Sequence, residues 1–297
     1  MKILNVLMID RIKRRVKREF ISLNLELDDK NYLINKGKIN LGYRMNLKSP
    51  VTFNEKLNWY KLNYRNELMI KCTDKWAVRE YVEGKGLGNI LVKNYGIYDK
   101  VDDINLEALP SQFIAKATGD SGGVVVCKDK KTFFEQAKNK FCDLEKDYSK
   151  FNKEWHYHYI KNKIIIENLI ETEDGHSPKD YKFFCFNGEP KFLFVASERD
   201  TDVKFDFFDL DWNHIPVIQG HYNSKKKIEK PEKLKEMLEI CRILSKDFPH
   251  VRVDLYYEKE KIYFGELTFF HFSGLTPFHP KKYDYIFGEY FDLSDIK

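Results

Sequence analysis

The chain has 297 residues, 42% of them hydrophobic and 33% charged, and a formal net charge of only +5. That length allows two or three lobes with substantial cores, while the weak basicity gives no argument for a nucleic-acid partner. Cys72, Cys127, Cys142, Cys185 and Cys241 are scattered without a CxxC, which speaks against a disulfide framework or a zinc site, and no apolar run reaches the ~20 residues of a membrane span. A soluble cytoplasmic protein with reduced thiols is expected.

Ile3 to Phe20 places Ile9, Ile12, Val16 and Phe20 on one helical face and six basic residues elsewhere. This predicts a basic helix packed on the body; contact with an anionic membrane surface is the secondary reading. Residues 31–50 read as polar and turn-rich. Thr52 followed by Glu55 predicts a capping box and a helix over Phe53 to Tyr64. A second helix is expected over Asp74 to Gly84, and a strand within Ile90 to Tyr98.

Phe113 to Ala117 predicts a strand carrying Lys116. It is followed by the turn Thr118-Gly119-Asp120-Ser121-Gly122-Gly123 and a strand from Val124 to Cys127. The turn is not a Walker loop, yet its glycines, backbone N–H groups and Ser121 suit phosphate oxygens. A helix is expected over Lys131 to Tyr148. His156 and His158 have same-face strand spacing, but packing is the better reading for them than metal binding. Ile164 to Ile170 predicts a buried strand bearing Glu167. Asn187-Gly188 marks a hairpin between Asp180–Phe186 and Lys191–Ala196. Phe205 to Leu210 predicts a strand, and Pro231 to Lys246 a helix with Leu234, Leu238, Cys241, Ile243 and Leu244 inward.

The most informative stretch is Val251 to Tyr257 with Ile262 to Phe269, two strands divided by Glu258-Lys259-Glu260-Lys261. Asp254 and Glu266 interrupt otherwise apolar and aromatic runs. An odd loop, such as Lys259-Glu260-Lys261, would set the two acids opposite each other, about 5 Å apart, with Arg252 and Thr268 flanking them. Like charges so placed repel, and a hard cation such as Mg²⁺ would remove the repulsion.

Taken in order, Asp74-Lys75, Lys116, the glycine turn, Ile166-Glu167, Arg252-Val253-Asp254 and Glu266-Leu267-Thr268 resemble the ATP-grasp superfamily. The phrases FNEKLNWYKL, PKDYKFFCFNGEPK, RVDLYY and IYFGELTF resemble its TupA-like branch, over about residues 50 to 290. The resemblance implies an α+β fold of two lobes with ATP between their sheets. The expected divisions are a basic helical extension over 1–50, a preceding region over 51–110, a small lobe over 111–172 and a large lobe over 173–297. It also implies ATP and Mg²⁺ as cofactors. Lys75 and Lys116 would bind the nucleotide's phosphates, the loop with Gly119, Ser121, Gly122 and Gly123 would close over them, Lys182 would also bind the nucleotide, and Glu167 would lie near adenine. Asp254, Glu266 and Thr268 would hold the metal, and Arg252 and Lys116 would serve catalysis. Thr268 stands where the superfamily commonly has Asn, and His271-Phe272-Ser273-Gly274, where the branch tends to be richer in glycine and proline, would contact the acceptor. The implied reaction joins a carboxylate, in this branch a uronic acid of a bacterial surface glycan, to an amine through an acylphosphate. Two other classes are a glycosyltransferase, matching DxD at Asp200-Thr201-Asp202 and Asp209-Leu210-Asp211, and a non-catalytic nucleotide-binding protein.

Overall fold

The structure is a computed structural model that describes residues 27–120, 122–147, 149–294 and 296. The basic helix expected over Ile3 to Phe20 and the hydroxyl of Ser121 lie outside the described residues.

Residues 31–50 are not turn-rich as expected but open with helix α1 (Asp29–Leu41). The Asp28 carboxylate accepts the Asn31 N–H at 2.9 Å, and Gly42 ends the helix with φ 77°. Its apolar stripe is narrow, which hid it from periodicity, yet Tyr32, Leu33, Ile34 and Leu41 are buried and share a small core with Met45, Leu47 and Leu275. Helix α2 (Phe53–Asn63) begins with the expected capping box: Thr52 accepts the Glu55 N–H, and Glu55 accepts the Thr52 N–H. Phe53, Leu57 and Tyr60 leave it fully buried in the main core. The helix expected from Asp74 begins only at Val78, as α4 (Val78–Gly84), and an unexpected short helix, α3 (Leu68–Thr73), precedes it. Asp74 is the reason, since its carboxylate takes the N–H groups of Trp76 and Ala77, both at 2.8 Å, and holds the chain in a turn.

A four-stranded antiparallel sheet follows, in the order β1 (Asn94–Tyr98), β4 (Ile164–Asn168), β2 (Phe113–Ala117) and β3 (Val124–Cys127). Helix α5 (Lys130–Lys140), shorter than expected, covers it through Phe133 and Ala137. After the one-turn α6 (Ser149–Asn152), Trp155–Tyr159 is a 3₁₀ helix and not a strand. His156 therefore turns inward, while the His158 side chain is 61% exposed, so the two do not share a face.

The second sheet has six strands in the order β10 (Lys261–Thr268), β9 (His250–Glu258), β5 (Asp180–Phe186), β6 (Glu189–Ser197), β7 (Lys204–Phe208) and β8 (His214–Ile215). Asn187 and Gly188 form the expected two-residue turn, both with positive φ. Helix α7 (Leu234–Ser245) packs on this sheet through Leu234, Met237, Ile240, Cys241 and Leu244. Ile243, expected inside, points out. Helix α8 (Lys282–Glu289) closes the core with Phe287 stacked on Phe192, ring centres 3.9 Å apart.

The β9–β10 hairpin corrects one argument and keeps its conclusion. Its turn has two residues, Lys259 and Glu260, both with positive φ, and Glu258 pairs with Lys261. An even turn alone would put the acids on opposite faces. A β-bulge at Gly265 supplies the missing residue: Phe264 pairs with Leu255, and Glu266 with Asp254. Phe264 thus enters the core while Glu266 leaves it. A Cβ at position 265 would sit 2.9 Å from the Asp254 carbonyl oxygen, so the close approach requires glycine.

Candidate functional site

Strand register builds the site. Lys182 of β5 pairs with Asp254 of β9, which pairs with Glu266 of β10, so one row across three strands reads cation, acid, acid. The next row on that face reads Phe184, Arg252, Thr268. Arg252 donates from Nε to Asp254 Oδ1 and from Nη2 to Asp254 Oδ2, both at 2.7 Å, a bidentate pair. Its Nη2 also reaches Thr268 Oγ1 at 2.9 Å and Glu266 Oε1 at 3.3 Å, and the Thr268 hydroxyl donates to Glu266 Oε1 at 3.0 Å. Lys182 Nζ bridges Asp254 Oδ2 and Asp180 Oδ2.

The repulsion between opposed acids is therefore relieved within the chain, by Arg252 and Lys182, and does not itself call for a metal. Burial pushes the Asp254 carboxyl up to about 6, against the pull of Arg252 and Lys182. Glu266 behaves oppositely: burial would raise it, but Lys75, Lys182 and Arg252 hold it at about 2. Its side chain is 39% exposed, against 1% for Asp254, so Glu266 is the arm that meets solvent.

This face forms one wall of a cleft of about 1080 Å³, large for a single small ligand. Lys75, Asp120, Lys182, Arg252, Glu266 and Thr268 line one part of it. Lys75 Nζ donates to the Asp120 carbonyl at 2.7 Å, which joins the expected phosphate lysine to the glycine turn. In that turn Gly119 is fixed by packing: a Cβ there would fall 2.4 Å from Ile160. Gly122 has φ 93°, and a Cβ on Gly123 would fall 2.9 Å from that of Ala117. Lys116 and Glu167 lie beside the cleft rather than in it. They pair with each other at 2.8 Å, Arg79 adds a second bond to Glu167 at 3.1 Å, and the recess around them has only about 10 Å³ of space. A nucleotide base would have to open that triad.

The far end of the cleft joins the His271–Gly274 segment to residues that sequence reasoning missed. Tyr32, Lys36 and Asn40 come from α1, Asn152 from the end of α6, Glu154 from the turn before the 3₁₀ helix, and Ser273 from a left-handed turn with φ 46° at Phe272 and 56° at Ser273. Asn152 donates to Ser273 Oγ at 2.7 Å, and Ser273 donates to Glu154. The Asp28 and Gly42 caps are the local signals that could have marked α1; nothing local marks Glu154, Arg79 or Gln219. Neither DxD match reaches the cleft. Asp209 accepts the backbone of Asp211 and Asn213, and Asp202 pairs with Lys204.

The donors fit a hard divalent cation that arrives with its own oxygen ligands. Asp254, Glu266 and Thr268 offer oxygen only, and among the described residues no three His, Cys, Asp or Glu converge into a complete cage. Asp254 can join such a site once Lys182 releases it, because both its oxygens are otherwise engaged.

His156 and His250 are buried and held neutral, down to about 3, and His271 is lowered too; burial is the leading cause in each. Their folded pKa values lie below the unfolded ~6.5, so the unfolded chain binds more protons and stability falls as pH falls below ~6.5. Each contributes up to about 1.4 kcal/mol per pH unit, opposed in part by the carboxyls that burial raises in the fold, Asp254, Glu154, Asp206 and Asp284. Urea midpoints are expected to fall clearly between pH 7.5 and 5; a level midpoint would contradict this.

The sequence profile described as TupA-like ATPgrasp matches residues 55–292. A search of curated protein sequences finds no match. Among solved structures the chain is similar to a D-alanine–D-alanine ligase from Bacillus anthracis complexed with ATP, at 18% identity and TM-score 0.41, covering 67% of this chain and 53% of that one. It is similar to an L-amino acid ligase from Bacillus licheniformis at 15% identity and TM-score 0.45, covering 75% and 51%. It is also similar to an N5-carboxyaminoimidazole synthetase from Staphylococcus aureus at 13% identity and TM-score 0.40, covering 66% and 44%. The chain spans about half the length of these structures.

Proposed function

We propose that this chain, which belongs to the TupA-like ATPgrasp family, is an ATP-dependent ligase joining a carboxylate to an amine. Its α+β architecture is that of the ATP-grasp fold. The observation that carries the reading is the row Lys182–Asp254–Glu266 with Arg252 and Thr268 beside it, on the wall of a cleft of about 1080 Å³. Cations for phosphate and hard oxygen donors for a metal meet there, and no cysteine is among the described residues that line the cleft.

The chemistry needs no protein nucleophile. A substrate carboxylate oxygen attacks the γ-phosphorus, the bond to ADP breaks with its electron pair, and an acylphosphate results. The amine nitrogen then attacks the acyl carbon, the carbonyl electrons move to oxygen, and their return expels phosphate as the nitrogen loses a proton. Lys75 and Lys182 supply charge toward the phosphates, and Arg252 toward the carbonyl oxygen. Mg²⁺, held by Glu266, Asp254 and Thr268, would add neutralisation of phosphate charge. In the finer reading the carboxylate is a uronic acid of a bacterial surface glycan or its precursor. Tyr32, Phe194, Phe205 and Phe272 with Asn40 and Asn152 support it, since rings and amides suit a hydroxylated sugar.

The test is ADP and phosphate release from ATP and Mg²⁺ across a panel of uronic acids and amines. Turnover should require the carboxylate, and Asp209→Asn should stay within about twofold of the parent, as expected of a surface turn residue. Sugar transfer from a nucleotide sugar, abolished by Asp209→Asn, would replace the ligase reading with a transferase.

A further inference from the structure

We infer that Gln219 and His271 form a positioning relay that fixes the guanidinium of Arg252. The two come from segments distant in sequence: His271, 1% exposed, lies in the cleft wall beside Arg252, and Gln219, fully buried, lies behind it. Arg252 Nη1 lies 2.6 Å from His271 Nδ1, His271 Nε2 lies 2.8 Å from Gln219 Oε1, and Gln219 Nε2 lies 3.1 Å from the Thr276 carbonyl oxygen.

Donor and acceptor chemistry assigns every proton in this chain. A guanidinium only donates, so His271 Nδ1 must accept and carries no hydrogen. The ring is neutral, its proton is on Nε2, and it donates to Gln219 Oε1. The Gln219 amide is oriented in turn, because its NH₂ faces the Thr276 carbonyl. Phe184, Phe194 and Phe272 surround the imidazole, ring centres 4.9, 5.4 and 4.5 Å away, and prevent it from turning to another partner.

Asp254 grips Arg252 through Nε and Nη2, and Thr268 and Glu266 also take Nη2. His271 is the contact that holds Nη1. With it in place, one Nη1 hydrogen has no acceptor among the described residues, and Arg252 lines the cleft where substrate oxygen would lie. Without it the guanidinium could rotate about Asp254 and lose that aim. His271 and Gln219 act through Arg252 rather than on the reacting atoms, much as outer partners orient metal ligands. The kinetic consequence rests on the ligase reading, whereas the tautomer does not.

The first test is ¹⁵N NMR of the imidazole in the ligand-free protein. Nδ1 should be bare and Nε2 protonated at neutral pH; an Nδ1–H tautomer or an imidazolium would overturn the relay, whatever the enzyme's activity. The second is kinetic, following ADP formation with the carboxylate and amine that serve the parent enzyme. His271→Asn places its Oδ1 near the position of Nδ1 and keeps an acceptor for Arg252; His271→Leu removes it. His271→Leu should lower kcat about 10- to 100-fold with little change in the KM for ATP, and His271→Asn should restore most of it. Equal loss in both variants, or none in His271→Leu, would overturn the assignment. Should His271→Leu fail to fold, Gln219→Leu replaces it, and unchanged kcat there would overturn the relay. A parent that makes no ADP across the panel would defeat the ligase reading, and the NMR result would then decide the relay alone.

Discussion

Asp254→Asn is expected to lower ATP turnover by at least about 100-fold, the scale on which single electrostatic groups act in a transition state. The substitution removes one of the two carboxylates available to a phosphate-bound cation and leaves an amide N–H₂ facing two donors, Arg252 and Lys182. The fold should lose about 1–3 kcal/mol. Asparagine avoids burying a carboxylate, but it leaves Arg252 short of its bidentate partner, and Arg252 cannot shed its proton. Two acids opposed in an otherwise bare hairpin would have favoured the opposite sign. The measurement is ADP formation with a competent acceptor, together with metal-free thermal melts. Full turnover in the variant would remove Asp254 from the mechanism.

Arg252→Met should have the larger effect on stability and a comparable one on rate. Loss of one donor aimed at developing charge costs about 100- to 1,000-fold in kcat. Asp254, 1% exposed, would then keep only Lys182, and breaking a buried pair by removing one partner costs about 3–5 kcal/mol. Arginine now pulls the Asp254 pKa down, so its loss moves the folded value further above the unfolded ~3.8. An acid raised in the folded state is penalised as pH rises through that window, so the variant's deficit should shrink on going from pH 7.5 toward 5. Melting temperatures of parent and variant that keep a constant gap over this range would show that Asp254 is not the group left uncompensated.

Much of the site was legible because its chemistry breaks local patterns. Asp254 and Glu266 stand out in apolar strands, Thr52 and Glu55 mark a helix start, and Asn187-Gly188 marks a turn. Each signal lies within a few residues of the structure it specifies. What escaped depends on contacts far apart in sequence. Nothing near His271 shows that it faces Gln219, and nothing near Glu154 shows that it meets Ser273, 119 residues away. The relief of the acid pair by Lys182 follows from pairing β5 with β9, which the hairpin alone does not contain. Helix α1 was missed for a different reason: few of its positions are apolar, and the caps, not the periodicity, carried the information.

The bulge at Gly265 makes this hairpin unequal in its tolerance of length change. Residue 265 has no partner of its own in the ladder; its neighbours Phe264 and Glu266 already answer Leu255 and Asp254. Removing it would relax a local kink and leave every other side chain of the strand on its present face. Removing any residue between Lys261 and Phe264 would preserve the opposition of the acids only by turning part of the strand inside out, sending core side chains to the cleft or the reverse. The position that looks most constrained when a methyl group is added is therefore the one from which a whole residue can be taken. A chain of this kind can shorten by one at its site while retaining the pairing of Asp254 with Glu266, and a deletion scan of residues 261–266 would show a single tolerated position.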